Sequence, residues 1–149
     1  FNNGTVMKTT VTLVPARPDI YNVEGIVGPC GRTKIFNVTN RVYTTEPFTA
    51  TTIRLRPFGR VPSVLRVYLT GASAVGPTNT SIRIGDYGNF LAPVISNAVE
   101  VEPGVYTVDF ALPPQSAGAG DQPIILTVIL DGISFSSRLD DTATKFRIL

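Results

Sequence analysis

The side chains that most often carry out catalysis are scarce in this chain of 149 residues. Histidine is absent, so neither a Ser–His nor a Cys–His pair can form, and a nucleophile would lack its usual base. One cysteine, Cys30, without any histidine leaves a tetrahedral zinc site short of ligands. Because reduced cysteines are among the most buried residues, we expect Cys30 in the core, with an intermolecular disulfide as the alternative.

Carboxylates are the remaining groups for acid–base catalysis, which needs two that converge on one point. The 11 acidic residues lie mostly in apparent turns, where Asp favours the backbone geometry and convergence is rare. Asp140 and Asp141, with Asp131, offer oxygen ligands for calcium. Without the ligand spacing of an EF-hand, a solvated turn is the simpler interpretation. The sequence therefore predicts a protein that is not an enzyme and that holds no metal and no cofactor.

Arginines on short segments suggest binding instead of catalysis. Four of them lie close together in the sequence: Arg54, Arg56, Arg60 and Arg66. As an exposed strip they would suit an acidic polysaccharide or a neighbouring subunit, although charged residues also cover solvated sheet faces. No stretch combines Lys and Arg with stacking aromatic residues, which argues against nucleic acid as a partner. No apolar run reaches the roughly 18 residues of a membrane span, which argues against membrane insertion.

The elements that carry these residues follow a period of two, which is typical of strands. Residues 64–70 alternate most clearly, with Leu65, Val67 and Leu69 inward and Arg66 outward. The same rule puts Ile53 and Leu55 on the core side of residues 48–56. Further strands are expected at 5–14, 20–27, 34–42, 81–84, 105–112, 124–130, 133–137 and 144–149. Short strands at this spacing predict an all-β fold, an Ig-like antiparallel β-sandwich.

The chain divides by its patterning into three parts. Residues 1–14 form an extended N-terminal strand, residues 15–60 an irregular β region that packs on the sandwich, and residues 61–149 the Ig-like module. A boundary is expected near residues 58–62, because an irregular region interrupted by Pro and Gly precedes it and a compact module follows it. Asp131 and Gly132 form the strongest hairpin signal, and residues 113–120 allow one short helical turn at most.

One strand is apolar on both faces, whereas a strand with one face in solvent should carry polar residues on that face. In residues 124–130, Ile125 and Ile129 lie on the face opposite to Leu126 and Val128. Either another part of the chain or another subunit must cover them. We therefore take Ile125 and Ile129 as candidate interface residues.

Three Asn-X-Ser/Thr sequons mark candidate glycosylation sites, at Asn3, Asn37 and Asn79. They carry glycans only if the organism glycosylates its surface proteins.

Five motifs in a fixed order resemble a known family. They are LVPARPDIY at 13–21, VYLTG at 67–71, SIRIG at 81–85, GVYTVDFALP at 104–113 and GAGDQPIILTVILDG at 118–132. Together they resemble the C-terminal β-sandwich domain of large secreted proteins that are abundant in Acidobacteria of the Solibacter type. The resemblance implies export to the cell surface or beyond, an Ig-like fold and a structural or adhesive role, without an activity or a cofactor.

The N-terminus suggests how such a module would be used. Asn3 and Gly4 open a strand of alternating residues, but the partner strand of that hairpin is missing from the chain. Val6, Val11 and Leu13 are therefore candidate interface residues of a donated strand.

Two functions follow from these patterns. The first is an extracellular, pilus-like filament whose subunits are copies of this chain joined by donor-strand exchange. The alternative is a terminal adhesive or carbohydrate-binding module beside other domains of a secreted protein, with Tyr68 and Tyr87 as stacking residues.

Overall fold

The computed structural model describes residues 18–28, 30–71, 79–85, 90–96, 98–130, 132–138 and 142–149. These residues form twelve strands and one short 3-10 helix, Pro114–Ser116. The strands are β1 Asp19–Ile20, β2 Ile35–Asn37, β3 Thr51–Leu55, β4 Phe58–Pro62, β5 Val64–Thr70, β6 Thr80–Ile84, β7 Phe90–Ala92, β8 Val99–Glu102, β9 Val105–Ala111, β10 Gly120–Leu130, β11 Ile133–Ser136 and β12 Lys145–Ile148. No helix among the described residues has the length and apolar character needed to cross a membrane.

The first sheet is built around β5, the strand with the clearest alternation. Its order is β1-β5-β9-β8. The strand β2 also pairs with β5, on the same edge as β1 but with residues 65–67 instead of 69–70. All of these pairings are antiparallel. The described part of residues 15–60 therefore supplies two strands of this sheet, and the division of the chain into three parts stays a prediction.

The second sheet is built around β10, with the order β11-β10-β6-β7. The strand β12 pairs with the first residues of β10, on the same side as β11. Leu130 lies opposite Ile133, so β10 and β11 form the hairpin that the sequence predicts around Gly132, whose φ is 78°. A positive φ suits glycine because it has no Cβ.

One core joins the two sheets. Alternate residues of β5 and β9 pack against alternate residues of β6 and β10, and Phe48, Phe146 and Ile148 close the cluster. Each of these strands has an apolar face that must be covered, so packing the two faces together buries both. This is the all-β antiparallel sandwich that the sequence predicts. The expected N-terminal strand lies outside the described residues.

The inward faces predicted by alternation are confirmed for strands that have a strand of the same sheet on each side. Leu65, Val67 and Leu69 are fully buried, as are Ile82 and Ile84. Alternation in residues 105–112 predicts Tyr106 inward with Val108 and Phe110, but Tyr106 is only partly buried.

Three strands of the structure were not predicted from the sequence: β4, β7 and β8. The first of them crosses the predicted boundary near residue 60, because Gly59 and Pro62 are tolerated in a short edge strand. Residues 90–92 are too short for alternation to be visible, and the alternation at residues 99–102 extends over only four residues.

Two burial predictions are wrong. Ile53 and Leu55 are 45% and 66% exposed, because β3 pairs only with β4 in a two-stranded sheet outside the sandwich. Cys30 is exposed as well. Its φ of 65° puts it in a bend before Gly31, where the chain runs over the surface and the Cys30 amide donates to the Thr142 carbonyl.

Candidate functional site

The outer face of the first sheet carries a group of charged and aromatic side chains. Arg66 and Tyr68 alternate with the buried residues of β5 and so point away from the core. The β5–β9 register puts Asp109 directly opposite Arg66. The neighbouring strand β2 and the loop after it add Phe36 and Tyr43. We call this set, with Lys34, the outer-face cluster.

An ion pair holds the centre of the outer-face cluster. Arg66 donates to both oxygens of Asp109, from Nε at 2.7 Å and from Nη2 at 2.9 Å. The Asp109 side chain is only 16% exposed, so water screens this pair weakly. The hydrogen bond to Asp109 raises the pKa of the Arg66 guanidinium. Arg66 therefore is not a member of a solvated basic strip.

The aromatic rings of the cluster contact each other and the cations. Phe36 meets Tyr43 and Tyr68 edge to face, with centroids 5.7 and 5.8 Å away. Lys34 Nζ lies 4.7 Å from the centroid of Tyr68, and Arg66 Nη1 donates to the Tyr43 hydroxyl at 2.6 Å. The pKa of Tyr68 is raised, mainly by burial of the side chain and to a smaller extent by the nearby Tyr43. Tyr68 is thus covered by Lys34, whereas Tyr43 stays 56% exposed.

A surface depression of about 320 Å³ adjoins Tyr43. Its lining includes Thr39, Arg41 and Val64, together with the Arg66–Asp109 pair. Arg66 and Asp109 neutralise one another, so Arg41 is the charge in this lining without an ion-pair partner among the described residues. The depression suits a polar or weakly acidic group more than a large apolar ligand.

A second ionic network ties three distant segments together. Arg32 donates to both oxygens of Glu46, at 2.7 and 2.9 Å, and to Asp121 at 3.0 Å. Glu46 also accepts from the Arg147 amide at 3.1 Å. The Arg32 hydrogen bond lowers the pKa of Asp121. A carboxyl group with a lowered pKa is poorly suited to act as a general acid.

No group of three or more metal-ligating side chains occurs among the described residues. The calcium candidates Asp131, Asp140 and Asp141 lie outside them, as does Tyr87.

The hairpin of β3 and β4 projects beyond the sandwich and is exposed on both faces. Cross-strand pairing puts Ile53 opposite Arg60 and Leu55 opposite Phe58, so these four side chains share one face. Phe58 is 81% exposed. Arg54 lies on the other face, opposite Gly59, so the predicted strip of arginines does not form.

Polar side chains attach this hairpin to the first sheet. Asn40 Nδ2 donates to the Ile53 carbonyl at 3.0 Å, and Asn40 Oδ1 accepts from the Leu55 amide at 3.3 Å. The Asn40 side chain thus forms hydrogen bonds with the outer edge of β3 that a neighbouring strand would otherwise form. At the base of the hairpin, Thr52 Oγ1 contacts the buried Ser63 Oγ at 2.6 Å.

The acidic strand β8 is the second element exposed on both faces. All four residues, Val99 to Glu102, are exposed. Neither Glu100 nor Glu102 forms an ion pair with a described residue. The sequence did contain a signal for this strand, because VEVE followed by Pro103 and Gly104 leads straight into β9 as a hairpin.

Searches against protein-family models, curated proteins and solved structures gave no match for this chain. The resemblance to the secreted Solibacter-type domains therefore stays a prediction.

The candidate interface residues of β10 lie on the outer face of the second sheet. Ile125 is half-buried beside Arg83, and Ile129 is 40% exposed beside Ser134. No described strand covers this face, so a partner for it stays a prediction. Val6, Val11 and Leu13, and also Asn3, lie outside the described residues.

The two described sequons differ in accessibility. Asn79 is exposed, directly before β6. Asn37 is half-buried, and its Nδ2, the atom that would carry a glycan, donates to Thr52 Oγ1 at 3.0 Å. Its Oδ1 accepts from the amide and hydroxyl of Thr39. Glycosylation at Asn37 would displace a contact that holds the hairpin.

Proposed function

We propose that this chain is a non-enzymatic extracellular structural protein, a self-assembling subunit of a bacterial surface filament. The observation that carries the proposal is the concentration of exposed apolar side chains on the hairpin outside the sandwich and on the edge strand β8. Leu55 and Phe58 on the hairpin, and Val99 and Val101 on β8, are each close to half exposed or more. Exposed apolar groups gathered on these elements favour association, because contact removes them from water.

The ionic groups support a structural role. Arg32, Glu46 and Asp121 brace segments that are distant in sequence, and Arg66 with Asp109 braces two neighbouring strands. Arg32 holds the pKa of Asp121 below its ordinary value, so Asp121 is poorly suited to give up or take a proton at neutral pH. Glu46, Asp109 and Asp121 each contact an arginine that joins them to another segment of the fold.

Donor-strand exchange is the joining mechanism that we propose. Residues 5–14 supply the donated strand, with Val11 and Leu13 on the face that enters the neighbour's core. Within the described residues, β7 ends the second sheet and leaves one outer edge without a strand partner. An unpaired strand edge accepts an added strand through backbone hydrogen bonds.

The test compares two variants of the full chain that alter opposite faces of the same segment. We expect the wild-type chain to form filaments, seen by negative-stain microscopy and as large species in sedimentation velocity. Val11→Glu with Leu13→Glu should abolish them, whereas Thr10→Glu with Thr12→Glu should leave them intact. A wild-type chain that remains monomeric at high concentration would end the proposal, and equal effects of both variants would end donor-strand exchange.

The alternative function is a terminal adhesive or carbohydrate-binding module. It is favoured by Tyr43, which is exposed beside the 320 Å³ depression and close to Arg41. An acidic sugar would stack on the tyrosine and pair with the guanidinium. Oligosaccharide titration followed by NMR tests this function: shifts centred on Tyr43 that vanish in Tyr43→Ala would support it.

A further inference from the structure

The exposed hairpin and the exposed strand β8 lie at opposite ends of the first sheet. The strand β4 runs into β5 at Val64, so the hairpin extends from the Val64 end of β5. The β8–β9 turn lies beyond Tyr106, which pairs with Leu69 at the other end of β5. The seven residues of β5 separate the two ends by about 20 Å at roughly 3.3 Å per residue.

The hairpin end is basic and apolar. Residues 51–62 contain three arginines and no acidic residue. Arg54 and Arg56 border a cleft that they share with Arg41 from the loop after β2. Arginine and phenylalanine are enriched at protein interfaces, and the bare Phe58 side chain is of the type that anchors one. We call residues 51–62 with Arg41 the basic end.

The β8 end is acidic and apolar. Residues 93–105 contain two glutamates and no lysine or arginine. Glu100 and Glu102 alternate with Val99 and Val101, which are 53% and 48% exposed. We call β8 with its turn the acidic end.

We infer that the basic end of one copy docks on the acidic end of the next copy. Charge complementarity selects this occupant: each end presents charges of one sign that have no ion-pair partner among the described residues, the charges lie beside apolar side chains, and the signs of the two ends are opposite. The contact is made by side chains. Backbone pairing is disfavoured there because a bulge interrupts the β8 register between Glu100 and Glu102, and Pro103 lacks an amide hydrogen.

This contact gives an assembly its direction. The two surfaces are different and lie at opposite ends, so each subunit uses one end and leaves the other open. A head-to-tail contact of this kind propagates into a filament unless the rotation closes a ring. The inference rests on the proposed self-assembly and specifies which surfaces meet, independently of residues 5–14.

The test reverses the charge at each end of the full chain. The basic-end variant carries Arg54→Glu and Arg56→Glu, and the acidic-end variant carries Glu100→Arg and Glu102→Arg. Each variant alone should associate about 100-fold more weakly or worse, because like charges then face each other. Mixed in equal amounts, the two variants should assemble again, in alternation, since every contact then joins opposite charges. Arg83→Glu and Glu24→Arg, which lie outside both ends, should assemble like the wild type.

A crosslink provides a second readout that does not depend on charge. In a Cys30→Ser background, cysteines replacing Phe58 in one copy and Val101 in another should be joined by a bifunctional maleimide into dimers. Circular dichroism establishes that each variant is folded.

Several outcomes would overturn the inference. Normal assembly of either end variant alone, or no recovery in the mixture, excludes the contact. A loss of assembly in Arg83→Glu would point instead to the outer face of the second sheet. Binding of the wild type to anionic vesicles that is lost only in the basic-end variant, with normal assembly of the acidic-end variant, would assign the hairpin to a membrane surface. A monomeric wild type would remove the proposed function and this contact together.

Discussion

Arg66, which points outward from the first sheet, shows how a side chain on the neighbouring strand changes the role of a residue. Arg66 alternates with buried leucine and valine, and from the sequence alone it is predicted to be a solvated arginine. The β5–β9 register puts Asp109 opposite it, and Tyr43 adds a hydroxyl acceptor at 2.6 Å. Two parallel charge-assisted hydrogen bonds in a half-buried site make Arg66 a structural residue.

Removal of the Arg66 side chain should therefore be costly. We expect Arg66→Ala to lower the free energy of unfolding by about 1.5–2 kcal/mol, at the lower end of the range for hydrogen bonds to charged groups because the side chain is partly exposed. A double-mutant cycle with Asp109→Ala should give a coupling energy of about 1 kcal/mol. Arg83→Ala, an exposed arginine of the second sheet, is the control and should change stability by no more than about 0.5 kcal/mol. Urea unfolding measures all three, and an uncoupled cycle would contradict the role of the pair.

Asp121 should contribute to acid denaturation. The Arg32 hydrogen bond holds its pKa below the ordinary value of about 3.9. A carboxyl group with a lowered pKa in the fold stabilises the protein above its unfolded pKa, and that contribution is lost as the pH falls toward the folded pKa. Stability of Asp121→Asn should therefore fall less steeply below pH about 4 than that of the wild type. Urea midpoints across a pH series measure this, with Glu24→Gln as the control that should follow the wild type.

At the scale of elements, β3 and β5 show that the same alternation leads to opposite outcomes. Both place apolar residues at every second position. The strand β5 has β9 on one side and β1 and β2 on the other, and the second sheet covers its apolar face. The strand β3 has only β4, and nothing among the described residues covers Leu55 and Phe58.

Two phenylalanines test this contrast in stability. Phe110 in β9 is fully buried, so Phe110→Ala should cost about 3–5 kcal/mol from lost burial and the cavity left behind. Phe58→Ala should change the stability of the subunit by less than about 0.5 kcal/mol, since its side chain is already in water. Thermal or urea unfolding of unassembled protein gives the comparison, and similar losses would mean that the hairpin packs on the core.

Asn40 is the side chain that should hold the hairpin edge. Its amide group bridges the backbone of Ile53 and Leu55. In Asn40→Ala, the Leu55 amide loses its acceptor and should exchange its hydrogen faster, whereas amides of β5 should be unaffected. Hydrogen exchange followed by NMR measures this, and unchanged exchange at Leu55 would mean that another group protects the edge.

On the scale of the whole molecule, charge is distributed unevenly although the net charge is only +2. The basic end and the acidic end lie about a strand length apart, so the subunit has a direction. In the proposed assembly, charge pairing selects the head-to-tail contact over head-to-head and tail-to-tail contacts, which would bring like charges together.

Assembly should accordingly weaken with salt. Raising the ionic strength to about 1 M shortens the screening length from roughly 10 Å to 3 Å, so the attraction between the two ends should decline. Light scattering at increasing sodium chloride should report smaller species, and the Arg83→Glu variant should respond as the wild type does. Larger species at high salt would indicate that apolar burial alone drives the contact.

The sequence by itself determined the fold class and the strands that form the core. Alternation in β5, β6, β9 and β10 defines an apolar face on each strand, and those faces have few ways to be buried other than against each other. The hairpin around Gly132 was also readable, because turn chemistry is local. The absence of histidine likewise excludes the commonest catalytic pairs, since those pairs need an imidazole as the base.

The tertiary structure alone decided which faces are covered and which charges are paired. Ile53 follows the same alternation as Leu65 but stays exposed, and Arg66 has an acid across the sheet whereas Arg54 has none. Cys30 lies on the surface because a bend, and not its own polarity, positions it. For Ile53 and Arg66 the deciding neighbour is absent or distant along the chain, and a period of two specifies that a strand has two faces without specifying what lies against them.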